Sequence, residues 1–143
     1  MRIVLKRLEV QTKKDKDLVD ITTEVEEAVR ESGVRKGVVF VLTMHTSSGI
    51  IVTEGLPCLE TDVMNHLESL APATGNYYHN RYLDIDGRLG FNAHAHLKSI
   101  LGGIHAYFPI EGGQIIKGSR QRIYFAEYDG PLNREYCVQV IGE

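Results

Sequence analysis

Gly37-Val38-Val39-Phe40-Val41-Leu42-Thr43-Met44 is an uncharged run of eight residues rich in β-branched side chains. It is too short to cross a membrane as a helix, and its composition suits a pleated, packed surface. A run with no polar alternation reads as a central strand, buried on both faces. Working outward, His45-Thr46-Ser47-Ser48-Gly49 follows, then Ile50-Ile51-Val52-Thr53 as a second strand, which Glu54-Gly55-Leu56-Pro57 ends. On the other side, residues 2–10 alternate, with Ile3, Leu5, Leu8 and Val10 as the inward set against Arg2, Lys6, Arg7 and Glu9. Lys13-Lys14-Asp15-Lys16-Asp17 reads as a solvated charged loop.

Three helices fit the remaining apolar spacing. The first begins after Asp20, with Thr23 and Glu26 as a capping box, Val25, Ala28 and Val29 as the inward stripe, and Gly33 as its stop. The second carries Leu59, Val63, Leu67 and Leu70 and closes at Pro72. The third is capped by Asn92 and runs from Ala93 to Leu101, with Leu97, Ile100 and Leu101 marking its buried side. Residues 72–91 show no period, and so long an irregular stretch inside a small domain is often functional. After Gly102-Gly103 the chain reads as strands: a hairpin through Glu111-Gly112-Gly113, then Arg122 to Tyr128, then Arg134 to Ile141. Strands and helices mix without regular βαβ alternation. The expectation is therefore an α+β fold in one domain over residues 1–143: a mainly antiparallel, two-layer β-sandwich-like core of seven or so strands with about three helices.

Composition bounds the function. A net charge of −3 and a pI near 6.1 over 143 residues argue against a nucleic-acid partner held by a basic field. No run has the length of a membrane span or a signal peptide, so no membrane association and a cytoplasmic location are expected. Cys58 and Cys137 do not form a CxxC pair and read as two buried free thiols.

All the histidines (His45, His66, His79, His94, His96 and His105) lie in the middle of the chain. Histidine ligates metals and moves protons near neutral pH, so the clustering suggests a site. His45 follows the central strand. If the next strand pairs with it through the Ser47-Ser48-Gly49 turn, Glu54 is expected at the same open end, where a carboxylate would orient the imidazole. His94 and His96 are two apart. On a helix such residues point about 200° apart, so only one of them should face a site. Lys98 near that helix N-terminus would favour an anion, and Gly118-Ser119-Arg120-Gln121 could hold a phosphate oxygen. Asp84-Ile85-Asp86-Gly87 fails as a calcium loop, because its twelfth position would be Ala93. His66 reads as surface or core edge and His105 as structural.

Taken in order, these motifs resemble the YjbQ-type family. His45-Thr46-Ser47 with Glu54 is similar to its HT[ST]-x(6)-[NT]E element, and Tyr77-Tyr78-His79 to its Tyr-x-His. Asn92-Ala93-His94-Ala95-His96-Leu97-Lys98 resembles its Asn-Ala-x-x-His-Leu-Lys segment. Pro109, Gly113, Gly118, Gln121, Glu127, Asp129 and Gly130 follow its closing pattern. The resemblance covers nearly the whole chain. It implies a homotrimer and a secondary thiamine-phosphate synthase activity, a transferase reaction joining a pyrimidine diphosphate to a thiazole phosphate with release of pyrophosphate.

By the same resemblance, His45, His79 and His96 come together with Glu54 as catalytic residues, and the three histidines form a metal site. Ser47, Asn92, Lys98, Arg120 and Gln121 would bind a small phosphorylated metabolite. Three imidazoles suit a zinc-like ion, whereas the synthase reaction would ask for magnesium. Two rival readings stand beside the synthase: a metal-dependent hydrolase of a phosphate-containing metabolite, and a non-catalytic metal- or anion-binding protein. Arg120 replaces a tryptophan frequent in the family, and Thr53 replaces an asparagine.

Overall fold

The structure, a computed structural model, describes residues 1–81 and 91–143. The uncharged run is strand β3 (Lys36–Thr43), the middle strand of a five-stranded sheet. It lies between β8 (Asn133–Gly142) and β5 (His105–Glu111). β1 (Arg2–Gln11) forms one edge and the short β6 (Gln114–Ile115) the other. A second sheet has three strands in the order β2 (Asp17–Asp20), β7 (Gln121–Glu127), β4 (Ser48–Glu54). Every pairing is antiparallel. The helices are α1 (Thr22–Ser32), α2 (Pro57–Leu70), the single turn α3 (Tyr78–Arg81) and α4 (Ala93–Gly102). None among the described residues is long and apolar enough to cross a membrane.

The two sheets face each other across one core. Val39 and Val41 of β3, Phe108 and Ile110 of β5, and Tyr136, Val138 and Val140 of β8 meet Ile50 of β4 and Ile123 and Phe125 of β7. Val25, Ala28 and Val29 of α1 join them, as their spacing requires. A second, smaller cluster lies behind the three-stranded sheet. There Ala126 and Tyr128 pack on Leu67 of α2 and Ala95 of α4. β7 is thus the strand covered on both sides, and it is buried from Ile123 to Glu127. β3, expected in that place, buries Val39, Val41 and Thr43 fully, but leaves Val38, Phe40 and Leu42 half-buried on its outer face. Gly37 has a packing reason: a Cβ there would stand 2.0 Å from the Ile141 carbonyl oxygen of β8.

Several local expectations are corrected. β1 turns Leu8 and Val10 to the core and leaves Ile3 and Leu5 exposed, because period two allows only one of the two sets inside. Thr23 and Glu26 form no capping box; the Asp20 carboxylate accepts the Thr22 N–H (2.9 Å) and hydroxyl (2.6 Å) instead. The charged loop runs into the unexpected strand β2. α4 is rotated relative to its apolar stripe: Ala93, His94, Ala95, Lys98 and Ser99 are buried, while Leu97, Ile100 and Leu101 face out. Cys58 is exposed and only Cys137 is buried. β3 and β4 do not form a hairpin, since the Ser47–Ser48 turn carries the chain from one sheet to the other.

That crossing is held by a buried ion pair. Arg134 of β8 (5% exposed) donates through Nε to Glu127 Oε1 of β7 (0% exposed) at 2.9 Å, and through Nη2 to Oε2. Glu127 also accepts the Thr12 hydroxyl (2.7 Å) and the Asp129 N–H (3.1 Å). The same Nη2 donates to Ser47 Oγ (2.9 Å). Burial alone would raise the Glu127 carboxyl, but these donors hold it below the usual carboxylate range. Removing one partner strands the other without water. Arg134→Ala is expected to cost about 3–5 kcal/mol by urea unfolding, and pairing it with Glu127→Leu should recover much of the loss. A cost under about 1 kcal/mol in the single variant would show that the pair does not hold the sheets.

Candidate functional site

The histidines that converge lie where α3 and α4 meet the β3–β4 turn. α4 places His96 so that its Nδ1 donates to the Thr46 carbonyl oxygen at 3.0 Å. A carbonyl oxygen only accepts, so the proton is on Nδ1, and in the neutral ring the lone pair is on Nε2. α3 places His79 with Nε2 2.8 Å from Asn92 Oδ1. Asn92 in turn donates through Nδ2 to Asp129 Oδ2 at 3.0 Å. The carboxylate fixes which way the amide points, and the amide fixes a proton on His79 Nε2. The two rings meet edge to face, with centroids 5.3 Å apart and an interplanar angle of 84°. Tyr77, His79, Ala93, His96 and Leu97 line a cavity of about 370 Å³ beside them. A volume of this order suits a small molecule.

His45 adjoins Thr46 in sequence but uses its ring differently. Its Nε2 accepts the Glu135 N–H of β8 at 2.9 Å. Burial, then the Arg134 cation, push the ring toward its neutral form. The tautomer accepting at Nε2 carries its proton on Nδ1, so in this conformation His45 offers a donor and not a second lone pair. Among the described residues, no group of three or more His, Cys, Asp or Glu side chains is placed to hold one metal ion. The residues described therefore do not fit the expected three-histidine cage, although His79 and His96 supply two imidazoles side by side.

The other proposed site residues divide. Glu54 ends β4, and the seven-residue strand carries it about 20 Å from Ser48. There it lies 3.7 Å from the exposed Arg120 and is paired in register with Gln121, whose Oε1 accepts the Gly118 N–H at 2.7 Å. Glu54, Arg120 and Gln121 thus form a separate group at the far end of the small sheet. Ser47 is buried beneath Arg134. Asn92 spends both ends of its amide on His79 and Asp129.

Lys98 is wholly buried, and its ammonium contacts His94 Nδ1 at 2.7 Å and Glu68 Oε1 at 3.1 Å. Burial pushes Lys98 below the usual lysine range, against the pull of Glu68. Burial and the Lys98 charge push His94 down as well. Burial would raise Glu68, but Lys16, the Ala73 N–H and Lys98 outweigh it and hold the carboxyl at about 2. His94 therefore belongs to an internal network behind α4, and one member of the His94-Ala95-His96 pair faces the cavity. Asp84 and Asp86, rejected as a calcium loop, lie outside the described residues. Sequence reasoning gave no role to Asp129 or the Thr46 carbonyl. An acid in an Asp129-Gly130-Pro131 turn looks like ordinary turn chemistry, and a backbone carbonyl leaves no sequence signal.

The fold and this pocket define a small α+β protein with a paired-histidine site. The chain belongs to the UPF0047 protein YjbQ-like family, whose pattern matches residues 6–143. It is 36% identical over 141 residues to a UPF0047 protein of Methanocaldococcus jannaschii, covering 98% of this chain and 96% of that one. It is 31% identical to UPF0047 protein YugU of Bacillus subtilis, covering 97% and 100%. Among solved structures, a YbjQ-like protein of unknown function from Sulfolobus solfataricus superposes with a TM-score of 0.92 at 29% identity, covering 99% of each chain. An uncharacterized conserved YjbQ/UPF0047 family protein from Clostridium acetobutylicum gives 0.85 at 35% identity, covering 95% and 99%.

The shifted groups dictate how stability varies with pH. His45 and His94 are pushed below 6.5, so the unfolded chain binds protons that the folded one resists. Stability should fall as pH drops below about 6.5. The Glu68 contribution is present above 4.5 and is lost as pH falls from there toward about 2. Urea midpoints at neutral, weakly acidic and strongly acidic pH should decrease in that order, and His45→Gln should flatten the first step. A midpoint that rises on mild acidification would contradict the neutral assignment of both rings.

Proposed function

We propose that the chain is an enzyme acting on a small phosphorylated metabolite in the cavity beside His79 and His96. The observation that carries this reading is the edge-to-face contact of two imidazoles whose protons are set by separate partners, Asn92–Asp129 and Thr46. Each neutral ring keeps its lone pair on the other nitrogen; one imidazole acting as base while the other, once protonated, acts as acid is general acid–base catalysis, worth about 10²–10⁴-fold. The specific reaction follows the family resemblance: thiamine-phosphate synthesis. There a thiazole nitrogen displaces diphosphate from the methylene of a pyrimidine; a C–N bond forms, the C–O bond breaks, and the diphosphate leaves with the bonding pair. A protonated imidazole at the cavity wall would stabilise that leaving oxygen, and Tyr77, Ala93 and Leu97 would exclude water around the ring. Lys98, being sealed against Glu68 and His94, supports the wall and does not touch the metabolite.

Metal-assisted hydrolysis is the second reading, and the paired imidazoles are what favour it. It would need a third ligand beyond the two imidazoles brought together here. Pyrophosphate release from the two phosphorylated rings, phosphate release from single metabolites, and elemental analysis of untagged protein separate the readings. The expected result is pyrophosphate release that falls about 100-fold in His96→Ala and His79→Ala. Wild-type turnover in both variants would sink the proposal, and phosphate release with one zinc-like ion per chain would favour the hydrolase.

We also propose that the chain works as a homotrimer. The outward face of α4 and the segment just after it support this: Ile100 is 76% exposed, Leu101 52% and, past the helix end, Ile104 48%, and Leu97 lines the cavity. A contiguous apolar face next to a pocket is more often a contact surface than bare protein. Sedimentation should give about three times the 16.0 kDa chain mass. Ile100→Glu should shift it toward the monomer; a wild-type monomer would overturn the assembly.

A further inference from the structure

A second cavity of about 540 Å³ lies at the opposite end of the large sheet. Arg30 from the last turn of α1, Val34 and Arg35 from the α1–β3 connection, the β5–β6 turn at Gly112 and Gly113, and Lys117 line it. The eight-residue β3 separates it from the histidine pair, an extended length of about 23 Å. Among the described residues, none of Arg30, Arg35 and Lys117 takes part in an ion pair. Glu26 is the one carboxylate on the wall. A helix C-terminus normally repels anions, but here it is blunted: Arg2 Nη1 donates to the Ser32 carbonyl at 2.7 Å and brings a further cation. Arg35 stands over the turn, its Nη1 3.8 Å from the place a Cβ on Gly113 would occupy. In a chain of net charge −3, this gathering of unpaired cations around a concavity is not explained by the overall charge.

We infer that this cavity is a binding site for a phosphate- or diphosphate-bearing small molecule, separate from the histidine site. Guanidinium groups present paired donors that match phosphate oxygens, and a lysine adds a point charge. The volume admits more than a bare ion, and the half-buried Ile115 with buried Val34 gives an apolar strip for the body of the ligand. The inference does not depend on the reaction proposed above.

Inorganic pyrophosphate is the probe, titrated into isotope-labelled full-length protein near physiological ionic strength and followed by amide chemical shifts. The expected result is saturable shifts at Gly33, Arg35, Gly112, Gly113 and Gln114. They should persist in His96→Ala, while Arg35→Gln with Lys117→Gln weakens binding about tenfold or more. These lysine and arginine changes remove no contact that holds the fold, and an unchanged spectrum elsewhere verifies this. No saturation into the millimolar range, shifts confined to the histidine cavity, or undiminished binding in the double variant would each overturn the site.

Discussion

The arrangement depends on one buried charge pair. Glu127 and Arg134 join β7 of the small sheet to β8 of the large one, and they also anchor Thr12 after β1 and Ser47 in the turn between β3 and β4. A carboxylate and a guanidinium taken out of water are tolerated only when nearly every oxygen and N–H finds a partner. That demand fixes the two sheets, the β3–β4 turn and the Asp129 turn in relation to one another. The site inherits this precision: Thr46, which holds His96, adjoins Ser47, and Asp129, which orients Asn92, donates its own N–H to Glu127.

A second polar hub lies behind α4. Lys98 is enclosed by His94 and Glu68, and Glu68 also gathers Lys16 and the Ala73 N–H. It ties α2, α4 and the β1–β2 loop together beside the smaller apolar cluster. The polar face of α4 is therefore turned inward and its leucines and isoleucine outward. Each cavity sits beside one of the structural junctions: the histidine cavity beside α4, the cationic cavity where α1 ends and β3 begins.

Much of the fold was legible because period and breakers carry it. The Val25, Ala28 and Val29 stripe, the Gly33 stop, the Gly112-Gly113 turn and the central place of β3 all follow from local sequence. The misreadings share a cause. Leu97, Ile100 and Leu101 look like a core stripe because apolar spacing does not say which side is covered, and here Lys98, paired with Glu68 and His94, takes the inside. Ile3 and Leu5 compete with Leu8 and Val10 for one face of β1, and only tertiary pairing decides. Consecutive strands usually pair, which points Glu54 toward His45, whereas the chain changes sheets at Ser47–Ser48. For the site, the resemblance singles out His79 and His96, and helical phase allows only one of His94 and His96 to face it. The Asp129–Asn92 link and the Thr46 carbonyl could not be found, because they are contacts between distant segments or belong to the backbone.

The Asn92 amide has a consequence for the lifetime of the molecule. It links a carboxylate to an imidazole, and its nitrogen and oxygen are not interchangeable. Water slowly hydrolyses side-chain amides, and here that change would set a new carboxylate against Asp129 and remove the sidedness that orients His79. The sheets, the helices and the buried pair would be untouched. Hydrolysis of this one amide would thus cost the pocket the sidedness of its hydrogen bonds while leaving the contacts between the sheets in place.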